Sequence, residues 1–370
     1  MTVHSELSRS RPLPPPGSQT FEPGASRKLA FSIGCVSAAA MTLLFLLWVL
    51  FGLDGAHVTL EVDDIGQGVA AWCATAICAL AVRRRAPGRA TWAFFSASSF
   101  AWGAGEAVWC YYALLKNVPV PFPSLADAGF LSAVPLAFAG LLLYPSGPRR
   151  SVNRIRRFLD SCIVATSVLY ASWATVIGPI YRSHQGGALK QVISLAYPVS
   201  DVIMVSLVII LIARAGRRGR LSLGFVMAGV VAFAVSDSAF AYLTEVNTYN
   251  GGSFLDTGWV AGYLLVALGA LWAMTGGTRG STTADESTIS MVAPYAPVLV
   301  VLAVTGIDLL RGRQIGTVLW AMAFALVVLV LGRELLGLLG RVRTEGADED
   351  RGEGPWPAPG VGAGAELARR

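Results

Sequence analysis

Apolar runs alternate with short polar connections along nearly the whole chain. Ten runs stand out, at 29–53, 65–82, 91–115, 125–145, 158–181, 192–213, 221–244, 256–274, 291–310 and 315–340. At about 1.5 Å of rise per residue, runs of this length cross a hydrocarbon core of about 30 Å. Backbone N–H and C=O groups inside lipid must be satisfied within the segment or by a closed barrel, and unbroken apolar runs of this kind read as helices. The pattern therefore predicts an all-α, polytopic transmembrane bundle of about ten spans over residues 29–343, with the lipid bilayer as its surroundings. The first run is longer than a signal-peptide core of about 7–15 residues and reads as a retained span. Residues 1–28, with RPLPPPG, and residues 344–370, rich in Gly, Pro and acid, lack apolar content and are expected as disordered tails.

Composition sharpens the class. Hydrophobic residues make up 54% of the 370 and charged residues only 14%, against about 25% charged in soluble domains. The formal charge of +6 does not point to nucleic acid, because the basic residues are concentrated in short loops. RRRAPGR (83–89), RRSVNRIRR (149–157) and ARAGRRGR (213–220) follow spans two, four and six. The opposite loops, DGAHVTLEVDD, KNVPVPFPS, YRSHQGGALKQ and TEVNTYNGGS, are nearly free of arginine. The positive-inside rule then places a multi-pass protein in the cell membrane with both termini cytoplasmic. The loop 276–290 follows the rule only weakly. Cys35, Cys73, Cys78, Cys110 and Cys162 lie in or beside apolar runs and read as reduced thiols. The histidines are His4, His57 and His184, none of them within a run. No metal site and no cofactor is expected, and neither a paired-aspartate motif nor a Ser–His set for intramembrane catalysis is present.

A pattern recurs inside the runs. FPSLADAGFL (122–131) lies between spans three and four, and GGSFLDTGWV (251–260) between spans seven and eight. Aligning Asp127 with Asp256 pairs Gly129 with Gly258, Phe130 with Trp259 and Gly140 with Gly269. In the preceding spans, pairing Glu106 with Asp237 places Trp102 over Phe233, Trp109 over Phe240 and Tyr111 over Tyr242. Looser copies open span six at Asp201, span two at Asp64 and span ten at Gln314. The unit is a helical hairpin with a polar outer loop and a D-x-G return, and five hairpins would make the ten spans.

The acids divide by position. Asp127 follows Ser124 with S-x-x-D spacing, which suits a helix cap, and a carboxylate in a first turn also complements the helix dipole. Asp201 and Asp256 are read in the same way. Glu106 and Asp237 lie well inside their runs. An acid at mid-membrane costs roughly 2.5–3.5 kcal/mol by insertion scales, so each should face the bundle interior and find a partner. Trp102, Gly105, Glu106, Trp109, Tyr112 and Ala113 share one helical face. That face fits an aromatic belt as well as an outward-facing ligand site made by Glu106, Trp109, Tyr111, Asp127, Asp201, Asp237, Tyr242 and Asp256. Glu106 is expected near the Asp127 turn, and Asp237 near the Asp256 turn.

The order of PFPSLADAGFL, RRFLDSCIVA, SLAYPVSDVIMV, DSAFAYL, DTGWVAGYLL, APYAPVLVVLAV and RELLGLLGRVR resembles the multispan N-terminal region of actinobacterial cyclic-di-GMP proteins. The resemblance covers about residues 60–343. It implies a membrane input region that precedes cytoplasmic GGDEF and EAL domains, yet neither signature occurs in these 370 residues. The expectation is a non-enzymatic sensory or signalling module, acting through a cytoplasmic partner or a second copy of itself, with no nucleic acid involved. A small-molecule transporter of the drug/metabolite type and a structural or vestigial scaffold are the alternatives.

Overall fold

The computed structural model describes residues 23–145, 154–183, 187–214, 217–245, 248–249, 251–275 and 295–352. Their secondary structure is helical: α1 (Pro23–Phe51), α2 (Ala56–Arg83), α3 (Arg89–Cys110), α4 (Leu125–Leu142), α5 (Arg154–Ser172), α6 (Gly178–Ser183), α7 (Ala188–Arg214), α8 (Arg217–Glu245), α9 (Thr257–Met274), α10 (Ala296–Leu310) and α11 (Thr317–Gly352). A π-helical turn at Tyr111–Leu115 extends α3, and another at Trp173–Ile177 joins α5 to α6 in one run. The chain is thus an all-α bundle, with a helical run at each apolar segment. Eight of the helices are long and apolar enough to cross a membrane, as in a multi-pass integral membrane protein. α3 is not among them because Ser, Gly and Glu dilute its apolar content, and α10 spans only 15 residues.

Three boundaries depart from the apolar pattern. α2 begins at Ala56, so Asp64 lies two turns inside the helix instead of opening it. The helical ladder closes back to Gly55, whose carbonyl accepts from the Thr59 amide at 3.1 Å and from Thr59 Oγ1 at 2.9 Å. Hydropathy marks the lipid-facing length, whereas the hydrogen-bonded helix extends beyond it. α7 begins at Ala188 and runs unbroken through Pro198, which leaves Asp201 in mid-helix and not at a cap. α11 continues to Gly352, so residues 344–352, expected in the tail, are helical. The tail stretches 1–22 and 353–370 and the loop 276–290 lie outside the described residues.

The described residues form two compact units: those within Met1–Tyr144, Gly224–Ala232 and Asn250–Gly280 in one, those within Pro145–Leu223, Phe233–Tyr249 and Ser281–Arg370 in the other. In the first, α2 packs against α1, α3 and α9, and α3 against α4. Small residues permit the close crossings, as in other membrane helix pairs. A Cβ on Gly129 of α4 would lie 2.6 Å from the Gly105 backbone of α3, and one on Gly229 would lie 2.8 Å from the Gly262 carbonyl of α9. Trp102 ties three helices together, its ring centroid 5.0 Å from both Phe130 of α4 and Tyr263 of α9. In the second unit, α5 packs against α7, α10 and α11. Ile163, Tyr170, Val301 and Leu326 form its apolar centre, and the Tyr170 hydroxyl hydrogen-bonds to Thr305 Oγ1 at 2.8 Å.

Candidate acid-lined site

The α2–α3 hairpin has arginines at one end, Arg83–Arg85 and Arg89, and acids at the other. Asp63, Asp64 and Gln67 lie on α2 and are buried, as is Glu106 near the end of α3. Asp256, in the 3-10 turn Phe254–Asp256 that leads into α9, is 1% exposed and joins them. Glu106 feels Asp64, Asp63 and Asp256 as its charged neighbours. Gly68 makes room for it, since a Cβ there would stand 3.4 Å from Glu106 Cγ.

The hydrogen bonds are specific. Asp63 accepts from the Gly252 amide at 2.9 Å and from Gln67 Nε2 at 3.2 Å, and the Asp256 carboxyl group is its neighbour. Trp109 of α3 lies beside Asp64. The nearest donor to Glu106 is the Cys110 thiol, at 3.9 Å, a weak partner. Among the described residues, no basic side chain is a partner of Asp63, Asp64 or Glu106. Chemically, such a set can hold protons or receive an organic cation. Among the described residues no three His, Cys, Asp or Glu side chains form a group that could hold a metal ion.

Asp127 is the N3 residue of a complete capping box. Its Oδ2 accepts from the Ser124 amide at 2.7 Å while Ser124 Oγ accepts from the Ala126 amide at 3.2 Å. Asp256 does the same with Ser253, at 2.8 Å. The S-x-x-D spacing therefore means the same thing at both places, and Asp256 is in addition a neighbour of Asp63.

Asp201 and Asp237 are neighbours in the second unit. The second oxygen of Asp201, Oδ2, is buried without a partner. Tyr111 is 44% exposed and lies against Tyr112 and the Lys116 ammonium, and Tyr242 is 51% exposed; both suit a membrane-interface belt.

Asp63 and Gln67 were invisible as site residues in the sequence, because Asp63 precedes the apolar run that begins at residue 65 and Gln67 is an isolated polar residue within it. Once α2 is known to start at Ala56, the i, i+1, i+4 spacing of Asp63, Asp64 and Gln67 on one face is the signal that points to them. A second constellation was equally hidden: Arg333 of α11, 2% exposed, binds Asp160 of α5 at 3.0 Å. No protein-family model matches the chain, and neither a curated protein nor a solved structure does.

Proposed function

We propose that this protein is a non-enzymatic sensory membrane module. Asp63, Asp64, Glu106 and Asp256 form its outward-facing input site, and α11 carries its output. The observation that carries the reading is the form of α11. The helix crosses the apolar stretch to Leu339 and then continues without a break to Gly352, about 20 Å further at 1.5 Å per residue. A rigid rod leaving a bundle is a means of passing a rotation or a displacement to a partner. In the cyclic-di-GMP proteins that this region resembles, the last span likewise leads toward a cytoplasmic output. The site's side follows from the arginine loops: its acids stand at the opposite end of the α2–α3 hairpin, hence on the outer face. Buried carboxyl groups are costly in a membrane protein and are typical of functional positions.

The test uses the full chain in nanodiscs and in proteoliposomes at fixed pH, with small primary and quaternary amines as probes. Under the sensory reading an amine changes the rate of tryptic cleavage at Arg341 or Arg343 in the α11 extension, and Glu106→Gln abolishes the response. Accumulation of the amine inside proteoliposomes, with unchanged cleavage, would identify a carrier instead. Neither response to any probe would remove the amine-sensing reading.

A further inference from the structure

We propose that Arg333 is an ionic pivot that sets the orientation of α11 as it leaves the bundle. α11 is mostly exposed along its described side chains, and only Leu326 and Arg333 among them are buried. These two are seven residues apart, two turns, and so lie on one face of the helix. Leu326 enters the apolar centre with Ile163, Tyr170 and Val301. Arg333 enters a polar one. Its Nε donates to Asp160 of α5 at 3.0 Å and its Nη1 to Glu334 at 2.7 Å, and its guanidinium carbon lies 4.7 Å over the Tyr295 ring. The Tyr295 hydroxyl donates to the same Glu334 oxygen, and Arg156 of α5 adds its charge to Glu334. The cluster thus joins α5, the residue that caps α10, and α11, with two cations set against two carboxylates.

The geometry suits orientation rather than adhesion. A planar guanidinium held by Asp160 of α5 and by the Tyr295 ring, with Glu334 of α11 bonded to Tyr295 beside it, tolerates little rotation, whereas a leucine in an apolar pocket tolerates more. From Arg333 to Gly352 the helix runs on for about 28 Å, so a small rotation at the pivot becomes a large displacement at its end. An arginine here is also costly unless paired, which argues that the contact serves more than packing. The inference rests on the proposed output role of α11 only for its use; the pivot itself is measured without any stimulus.

The experiment is a spin-label distance measurement on the full chain in nanodiscs. The five native cysteines are replaced by alanine, and labels are placed at Ile155→Cys on α5 and Leu339→Cys on α11, both exposed positions. The background protein should give one narrow distance peak. Arg333→Leu and Asp160→Asn should each lose it, giving a broad distribution with the protein still monodisperse. The charge-exchanged pair Arg333→Asp with Asp160→Arg should restore the narrow peak, which a merely volumetric role would not do. If Arg333→Leu fails to fold, Asp160→Asn and Arg333→Lys give the same reading through the weakened fork. A narrow peak retained in Asp160→Asn, or a broad one in the folded exchanged pair, overturns the proposal. Failure of the amine test would leave this outcome unchanged, so the two readings can be told apart.

Discussion

Replacing Gly129 by alanine adds one methyl group at the tightest helix crossing of the first unit. That Cβ would stand 2.6 Å from both Cα and N of Gly105 and 2.8 Å from the Ala101 carbonyl oxygen. Optimal carbon contacts lie at about 3.5–4.0 Å, so α3 and α4 must separate by about 1 Å. The obstructing atoms are backbone and cannot rotate aside. Separation loosens the neighbouring contacts of the same pair, including the Ser98 Oγ bond to the Ala133 carbonyl at 2.8 Å. Alanine is the better helix former by roughly 1 kcal/mol, which works against the effect. Overpacking of this kind costs about 1–3 kcal/mol, and more where backbone must move, so the net expectation is destabilisation by about 1–2 kcal/mol. Gly224, in α8, is the internal control: it is helical, and nothing lies within 4 Å of its added Cβ. Gly224→Ala should be neutral or stabilising by up to about 1 kcal/mol. Thermal unfolding in mild detergent, followed by size-exclusion recovery, compares the two directly. If Gly129→Ala is as stable as Gly224→Ala, the close crossing of α3 and α4 is wrong.

Three further outcomes follow from the same geometry. Asp127→Ala removes the capping acceptor and should cost about 0.5–2 kcal/mol, whereas Asp127→Asn keeps an acceptor and should cost well under about 1 kcal/mol; equal losses would show that the charge matters beyond the cap. Glu106→Gln removes a buried carboxyl group set beside three others, Asp63, Asp64 and Asp256, and should raise the unfolding temperature, since functional sites often carry such a cost; a clear loss of stability would mean that Glu106 has a structural partner. A reporter active only outside the cytoplasm should be active when fused after Val118 and silent after Arg85, and the reverse pattern would move the acid-lined site to the inner face.

Local patterns carried much of this molecule. Hydrophobic runs located every helical segment, because the cost of lipid exposure acts on each segment separately. The S-x-x-D spacing at Ser124–Asp127 and Ser253–Asp256 closes as two capping boxes, because a cap involves only residues within one turn. The same locality limited what could be read. Polar helical turns outside the hydrocarbon resemble loop, which hid the first two turns of α2 and the last turns of α11. Partner choice belonged to the tertiary structure alone. Asp63 meets Gly252 across 189 residues, Arg333 meets Asp160 across 173, and Asp201 meets Asp237 instead of capping its helix. Lipid tails are as apolar as leucine, so composition does not say which faces of the helices will meet. Steric fit at residues such as Gly105 and Gly129 decides that, and the buried carboxyl and guanidinium groups then pair with whatever the chosen packing brings within reach.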